Sequence, residues 1–216
     1  MKTITVKGTG YVSASPDVIE LRLSLDSRRP EYQAAMELEN SRIASLTDAI
    51  VSVGFEKRRL VTSSFNVNTD YESRRNSDGE YVSVFLGYRV SHDLKLEFDL
   101  DMAKLSKTLG AIARCGAEPK LTIRFKVKDR TAVGEALLRS AAENARAKAE
   151  VLASASGVSL GEIVSISYDW AELNVYSRTK YLSTNDSIDM SCDCDVDIEP
   201  EDIEAEDTVT FVWQIA

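Results

Sequence analysis

His92 is the single histidine of the chain, so imidazole acid–base chemistry near neutral pH can fall only there. It shares strand parity with Val90 and Leu94, which turns it toward the core, where a structural role is expected. Gly87 upstream could host a bulge that reverses this parity. A Ser-His-Asp arrangement is open on composition, but no Gly-x-Ser-x-Gly elbow is expected to support it. Gly8-Thr9-Gly10 invites comparison with a dinucleotide loop and lacks both the third glycine and the immediate helix. No Gly-Lys-Ser/Thr phosphate loop is present, and no carboxylate pair stands out for acid–base work.

The run Cys192-Asp193-Cys194-Asp195-Val196-Asp197 is the most unusual local feature. Drawn out as a strand, it aims Asp193, Asp195 and Asp197 to one side and the thiols to the other. Three carboxylates in a row suit a hard cation such as calcium, although the glycine and terminal glutamate of an EF-hand loop are missing. A solvated loop is the plainer expectation, so no metal ligand, cofactor or catalytic residue is assigned. Cys192 and Cys194 are too close in sequence to bridge each other well, and Cys115 closes an amphipathic helix. An odd count of three without a spaced framework argues against an oxidised scaffold.

These residues must be positioned by strands and helices that the hydropathy pattern marks clearly. Ile4, Val6, Gly8, Gly10 and Val12 share one parity, and Ile19, Leu21, Leu23 and Leu25 share another after Ser15-Pro16-Asp17. The two runs read as neighbouring antiparallel strands joined by a short turn. Gly8 and Gly10 bare the inward face and suggest close approach by a helix. A helix is predicted from Pro30 to Val53, with Tyr32, Met36, Ile43, Leu46, Ile50 and Val53 as its stripe. A strand then places Val61, Phe65, Val67 and Tyr71 on one side. The next and longest strand puts Val82, Val84, Leu86, Tyr88, Val90, Leu94, Leu96 and Phe98 on one face, as in a sheet wet on the other side.

A second helix spans about Asp101 to Arg114, followed by the strand of Leu121, Ile123, Phe125 and Val127. The third helix, from about Arg130 to Ser156, carries Leu137, Ala141, Ala145, Ala149 and Leu152, a stripe dominated by small side chains. Two strands finish the chain: Val164, Ile166, Tyr168 and Trp170, then Val209, Phe211, Trp213 and Ile215. The order β-β-α-β-β-α-β-α-β-β, with tight turns between strand pairs, predicts an α+β fold with a largely antiparallel sheet and the long third helix packed on it. At 216 residues, without a Pro-, Gly- or Ser-rich linker, residues 1–216 read as a single domain with an acidic loop inserted at about 171–207.

Eleven acidic residues and no Lys or Arg lie between Asp186 and Asp207, so the formal charge of −9 becomes +2 without that segment. A nearly neutral body with one acidic flap is a poor footprint for nucleic acid, and the basic pairs Arg28-Arg29 and Arg74-Arg75 read as solvated element ends. No stretch approaches the ~20 apolar residues of a membrane span. The opening Met1-Lys2-Thr3-Ile4-Thr5-Val6 alternates too strongly for the apolar core of a secretion signal, which sets the expectation of a cytoplasmic protein.

Several fragments taken in order resemble the SIMPL-domain family. They are Ile4-x-Val6-x-Gly8-x-Gly10, Pro16-Asp17, Gly87-Tyr88-Arg89-Val90-Ser91, Asp99-Leu100-Asp101, Gly116-Ala117, Ala145-x-Ala147-Lys148-Ala149, Leu152-Ala153, Leu160-Gly161, Pro200 and Ile203. The sequence departs from the family at Glu201, where glycine is usual, and at His92, where asparagine is usual. The resemblance implies a self-assembling protein, since a periplasmic relative builds a channel-like homo-oligomer, or an adaptor like an animal kinase-associated relative. It supplies no catalytic residues. The expected function is therefore a non-enzymatic scaffold or protein-interaction module that works as a homo-oligomer. The alternatives are a cation- or ligand-binding protein using the acidic loop, and an uncharacterised stress-related enzyme.

Overall fold

The computed structural model describes residues 2–75, 77, 79–169, 176–183 and 199–216. The strands are β1 (Thr3–Ala14), β2 (Val18–Arg29), β3 (Leu60–Arg75), β4 (Tyr81–Asp99), β5 (Lys120–Lys126), β6 (Leu160–Ser167), β7 (Tyr176–Ser183) and β8 (Ile203–Ile215). The helices are α1 (Tyr32–Ser52), α2 (Met102–Arg114) and α3 (Arg130–Ala155). This is the α+β order expected from the sequence, with the further strand β7 lying in what reads as loop. Two sheets carry it, ordered β1-β8-β6 and β3-β4-β2-β5-β7. No helix among the described residues is long and apolar enough to cross a membrane.

The chain divides into two compact units. In the first, β1 pairs antiparallel with β8 along its whole length, from Thr3 opposite Gln214 to Ala14 opposite Ile203. The expected β1–β2 pairing is thereby corrected. At the break, the Asp17 N–H donates to the Lys126 carbonyl at 3.1 Å, and its carboxylate accepts the Lys128 N–H at 2.7 Å. That anchoring turns the chain out of β1's sheet rather than back along it.

Helix α3 is capped by Asp129, whose carboxylate accepts the Ala132 N–H. Its buried stripe is Val133, Leu137, Ala141, Ala145, Ala149 and Ala153; Leu152 is exposed, one position off that row. The two glycines of β1 lie directly under it. A Cβ at Gly8 would stand 2.0 Å from the Ala141 carbonyl oxygen, and one at Gly10 2.1 Å from that of Leu137. Two strand residues advance about 6.8 Å and one helical turn of four residues about 6 Å, so glycines two apart match carbonyls four apart. Val6, Val209, Phe211 and Trp213 complete this core, the last two rings stacked at 5.3 Å.

The second unit packs α1 on β2 and β4, with α2 alongside α1. Ile19, Leu21, Leu23 and Leu25 are fully buried and continue in the same parity to buried Ser27. They lie opposite Phe98, Leu96, Leu94, His92 and Val90 of β4. Asp101 caps α2, accepting the Lys104 N–H at 2.9 Å.

Two bulges reset the faces of the longest strands. Thr62 pairs with Leu94 and Ser64 with Asp93, leaving Ser63 extra. Val61, opposite Lys95, therefore leaves the face that Phe65 and Val67 share. Further on, Asp70 pairs with Gly87 and Tyr71 with Phe85, so Leu86 is extra. Gly87 takes φ 132°, and a Cβ there would stand 2.2 Å from the Arg29 carbonyl oxygen. The bulge lies before His92 and leaves its parity intact. Val82 and Val84 pass to the opposite face from Val90, contrary to the sequence expectation, and Phe85 takes their place.

Candidate functional site

His92 sits on β4 between Leu25 of β2 and Phe65 of β3, its cross-strand partners. It faces α1 and retains 12% of its side-chain exposure, as its parity indicates. The Ser63 bulge is what brings both Thr62 and Phe65, three residues apart, onto the face of this ring. The Phe65 ring meets the imidazole edge-on at 5.0 Å. The Thr62 hydroxyl lies 2.9 Å from Nε2, and Glu39 Oε1 lies 3.1 Å from Nδ1.

Glu39 is the residue that sequence reasoning missed. It is 1% exposed although it is a carboxylate. A signal was present: Glu39 falls four residues after buried Ala35 and seven before buried Leu46, within α1's inward stripe. The Ser27 hydroxyl donates to Glu39 Oε2 at 2.7 Å, and Arg42 Nη1 donates to the Ser27 oxygen at 3.1 Å. Arg42 is itself fixed by the carbonyls of Asp26 and Ala117, both at 2.8 Å. With Ser27 donating to one oxygen, the carboxylate accepts at the other. In the neutral imidazole, that acceptor selects the tautomer with the proton on Nδ1, which leaves the Nε2 lone pair facing Thr62. Polar groups thus run from half-buried Arg42 through Ser27, Glu39 and His92 to exposed Thr62.

A second feature lies at the far end of the same strands. Pairing of β2 with β4 stops at Arg29 opposite Tyr88, so among the described residues Tyr81–Gly87 pair with β3 alone. On this two-stranded arm the rings of Tyr71 and Phe85 meet at 5.5 Å, Phe85 and Tyr88 at 5.5 Å, and Tyr88 and Tyr32 of α1 at 5.6 Å. Tyr71 is 56% exposed and Phe85 44%. At the arm's root Asp70 accepts from Arg28 and Arg89 at 3.1 and 2.8 Å.

Other candidates resolve less. Asp193, Asp195, Asp197, Cys192, Cys194 and Trp170 lie outside the described residues. Cys115 is a free thiol at the end of α2, donating to the Ile112 carbonyl. Contrary to the expectation that no such motif is present, Gly157-Val158-Ser159-Leu160-Gly161 has the Gly-x-Ser-x-Gly spacing, yet it runs from α3 into β6, the reverse of the strand-to-helix order that exposes such a serine. The Ser159 hydroxyl donates instead to the Ala216 carbonyl. A groove lined by Ser45, Ala49, Ala111, Arg114 and Cys115 does not include His92.

An α+β chain of two sheets, with a helix seated on paired glycines and an aromatic two-stranded arm, is the class these features define. The model of the SIMPL family, described as a protein of unknown function (DUF541), matches residues 4–213, and the chain belongs to that family. It is 30% identical over 164 residues to the 26 kDa periplasmic immunogenic protein of Brucella melitensis, and to its counterpart in Brucella abortus at the same identity. The match covers 76% of this chain and 65% of each of those relatives. An uncharacterized protein YggE of Edwardsiella ictaluri is 21% identical over 213 residues, covering 99% of this chain and 87% of the relative. The Brucella relatives are named as periplasmic, which overturns the expectation of a cytoplasmic protein. The alternating residues behind that expectation are those of β1, and a strand at that position carries no information about compartment.

Proposed function

We propose that this protein is a non-enzymatic scaffold that assembles with copies of itself through the β3–β4 arm. The observation that carries the reading is the Tyr71–Phe85 pair, exposed on a part of the sheet that is two strands wide among the described residues. A two-stranded ribbon is marginal in water alone, and large side chains displayed on one are stabilised when another surface covers them. Aromatic residues are also the side chains that most often anchor protein interfaces. A second copy supplies the same ribbon, and a two-fold arrangement pairs the aromatic patch with itself. The resemblance to a family with an assembling member supports the same reading.

Size-exclusion chromatography with light scattering tests it. The chain is expected to run as an oligomer at micromolar concentration. Tyr71→Ser combined with Phe85→Ser is expected to yield monomer with an unchanged far-ultraviolet spectrum. A wild-type monomer across that range, or a variant that assembles like wild type, overturns the proposal.

A further inference from the structure

We propose that Thr62 is a nucleophilic hydroxyl that His92 activates for acyl transfer, making it a covalent acylation site on the scaffold. Three separate features meet there. First, the hydroxyl lies 2.9 Å from Nε2, and Thr62 is exposed at the β3 edge of the sheet face that His92 shares, within reach of a solute. Second, the base is oriented by a third group, since Glu39 holds Nδ1 at 3.1 Å and is 1% exposed. Third, Glu39 is fixed in turn by Ser27 at 2.7 Å, and Ser27 by Arg42 at 3.1 Å. A hydroxyl beside a base, with a buried acceptor selecting the tautomer of that base, is the arrangement that raises the nucleophilicity of an otherwise inert alcohol. A simple core histidine needs none of the outward half of this chain. The β3 bulge at Ser63 is what delivers the hydroxyl.

In the step, the Thr62 Oγ1 lone pair attacks the carbonyl carbon of an ester while Nε2 takes the hydroxyl proton. The ester's C–O bond breaks, its electron pair leaves with the alkoxide or phenoxide, and the His92 imidazolium returns the proton to that leaving group. The products are an acyl ester of Thr62 and a free alcohol or phenol, with no change of oxidation state. Because Thr62 stands on an open strand, the acyl donor must carry its own good leaving group. Phe65, edge-on to the imidazole at 5.0 Å, offers an apolar wall for an aryl or short acyl group. The substrate class is therefore a small activated ester.

The test treats the full-length protein with p-nitrophenyl acetate and maps hydroxylamine-labile acetyl groups by peptide mass spectrometry. Acetylation is expected to concentrate on Thr62. Thr62→Ser is expected to keep it, and Thr62→Val, which preserves shape on an exposed strand, to abolish it. Glu39→Gln presents an amide donor to Nδ1 and reverses the tautomer, so the Thr62 acetylation rate is expected to fall on the order of a hundredfold. Label spread over surface hydroxyls with no preference for Thr62 in the wild type overturns the proposal, whatever the variants do. Equal labelling of Thr62 in folded Glu39→Gln protein also overturns it. Neither result bears on self-assembly, which is read by mass in solution.

Discussion

Glu39 of α1 and His92 of β4 face each other at 3.1 Å across the helix–sheet boundary, the carboxylate 1% exposed and the ring nearly covered. A carboxylate at that depth is stabilised only by the hydrogen bonds it accepts. His92→Leu leaves Ser27 as its remaining donor from this cluster and is expected to cost about 2–3 kcal/mol. His92→Asn restores an N–H donor on a shorter side chain and is expected to cost about 1 kcal/mol. Urea denaturation at neutral pH checks both through the midpoint, with the slope unchanged if the folded state stays compact. Equal losses in the two variants would show that ring packing against Leu25 and Phe65, rather than the bond to Glu39, is what matters.

Much of this geometry was legible in the residues, and the failures have definite physical causes. Period-two runs in β1, β2 and β5 and period-3.6 runs in α2 and α3 announce themselves because each element buries one face. The caps Asp101 and Asp129 follow from the same boundaries. Gly8 and Gly10 pointed correctly to a close helix, since only missing side chains permit a carbonyl at 2.0 Å from a notional Cβ. Strand pairing was not legible: β1 and β2 are adjacent in sequence, yet the β8 partner of β1 is nearly the whole chain away. Bulges were half legible. Gly87 signalled one, whereas Ser63 lacks any special residue type, so the meeting of Thr62 with His92 could not be read from spacing. Glu39 stayed hidden because its partners come from distant strands, and hydropathy alone places a glutamate outside.

The glycine pair gives a sharp test of how closely α3 sits on β1. Gly8→Ala and Gly10→Ala each drive a methyl group against backbone carbonyl oxygens that cannot rotate away. Each is expected to destabilise the protein by about 3 kcal/mol, the upper end for overpacking. Thermal and urea unfolding of the two variants measure this. Gly134, with nothing within 4 Å of a notional Cβ, is the internal control, and Gly134→Ala is expected to be neutral or stabilising because alanine favours the helix.

Asp26 supplies the pH dependence. Partial burial pushes its carboxyl up, but the Ser91 hydroxyl at 2.8 Å and the Lys120 ammonium at 3.1 Å outweigh that, with a smaller pull from Arg89. The net displacement is downward from the ordinary carboxylate value. A depressed carboxyl contributes its stability in full above the pKa it has in the unfolded chain, and loses it as pH falls through the lower folded value. At neutral pH the contribution is present; in acid below the usual carboxylate range it disappears. The side chain is 38% exposed, so solvent screening holds the effect to about 0.5 kcal/mol. Asp26→Asn is expected to lower stability by that amount at pH 7, and the gap from wild type is expected to close on acidification. Urea midpoints across the acid range measure it. A gap of constant size would assign the effect to lost hydrogen-bond geometry at Ser91, and a gap that widens in acid would reverse the sign of the electrostatic argument. Added salt is expected to shrink the neutral-pH gap as well, because the Lys120 pair is exposed enough to be screened.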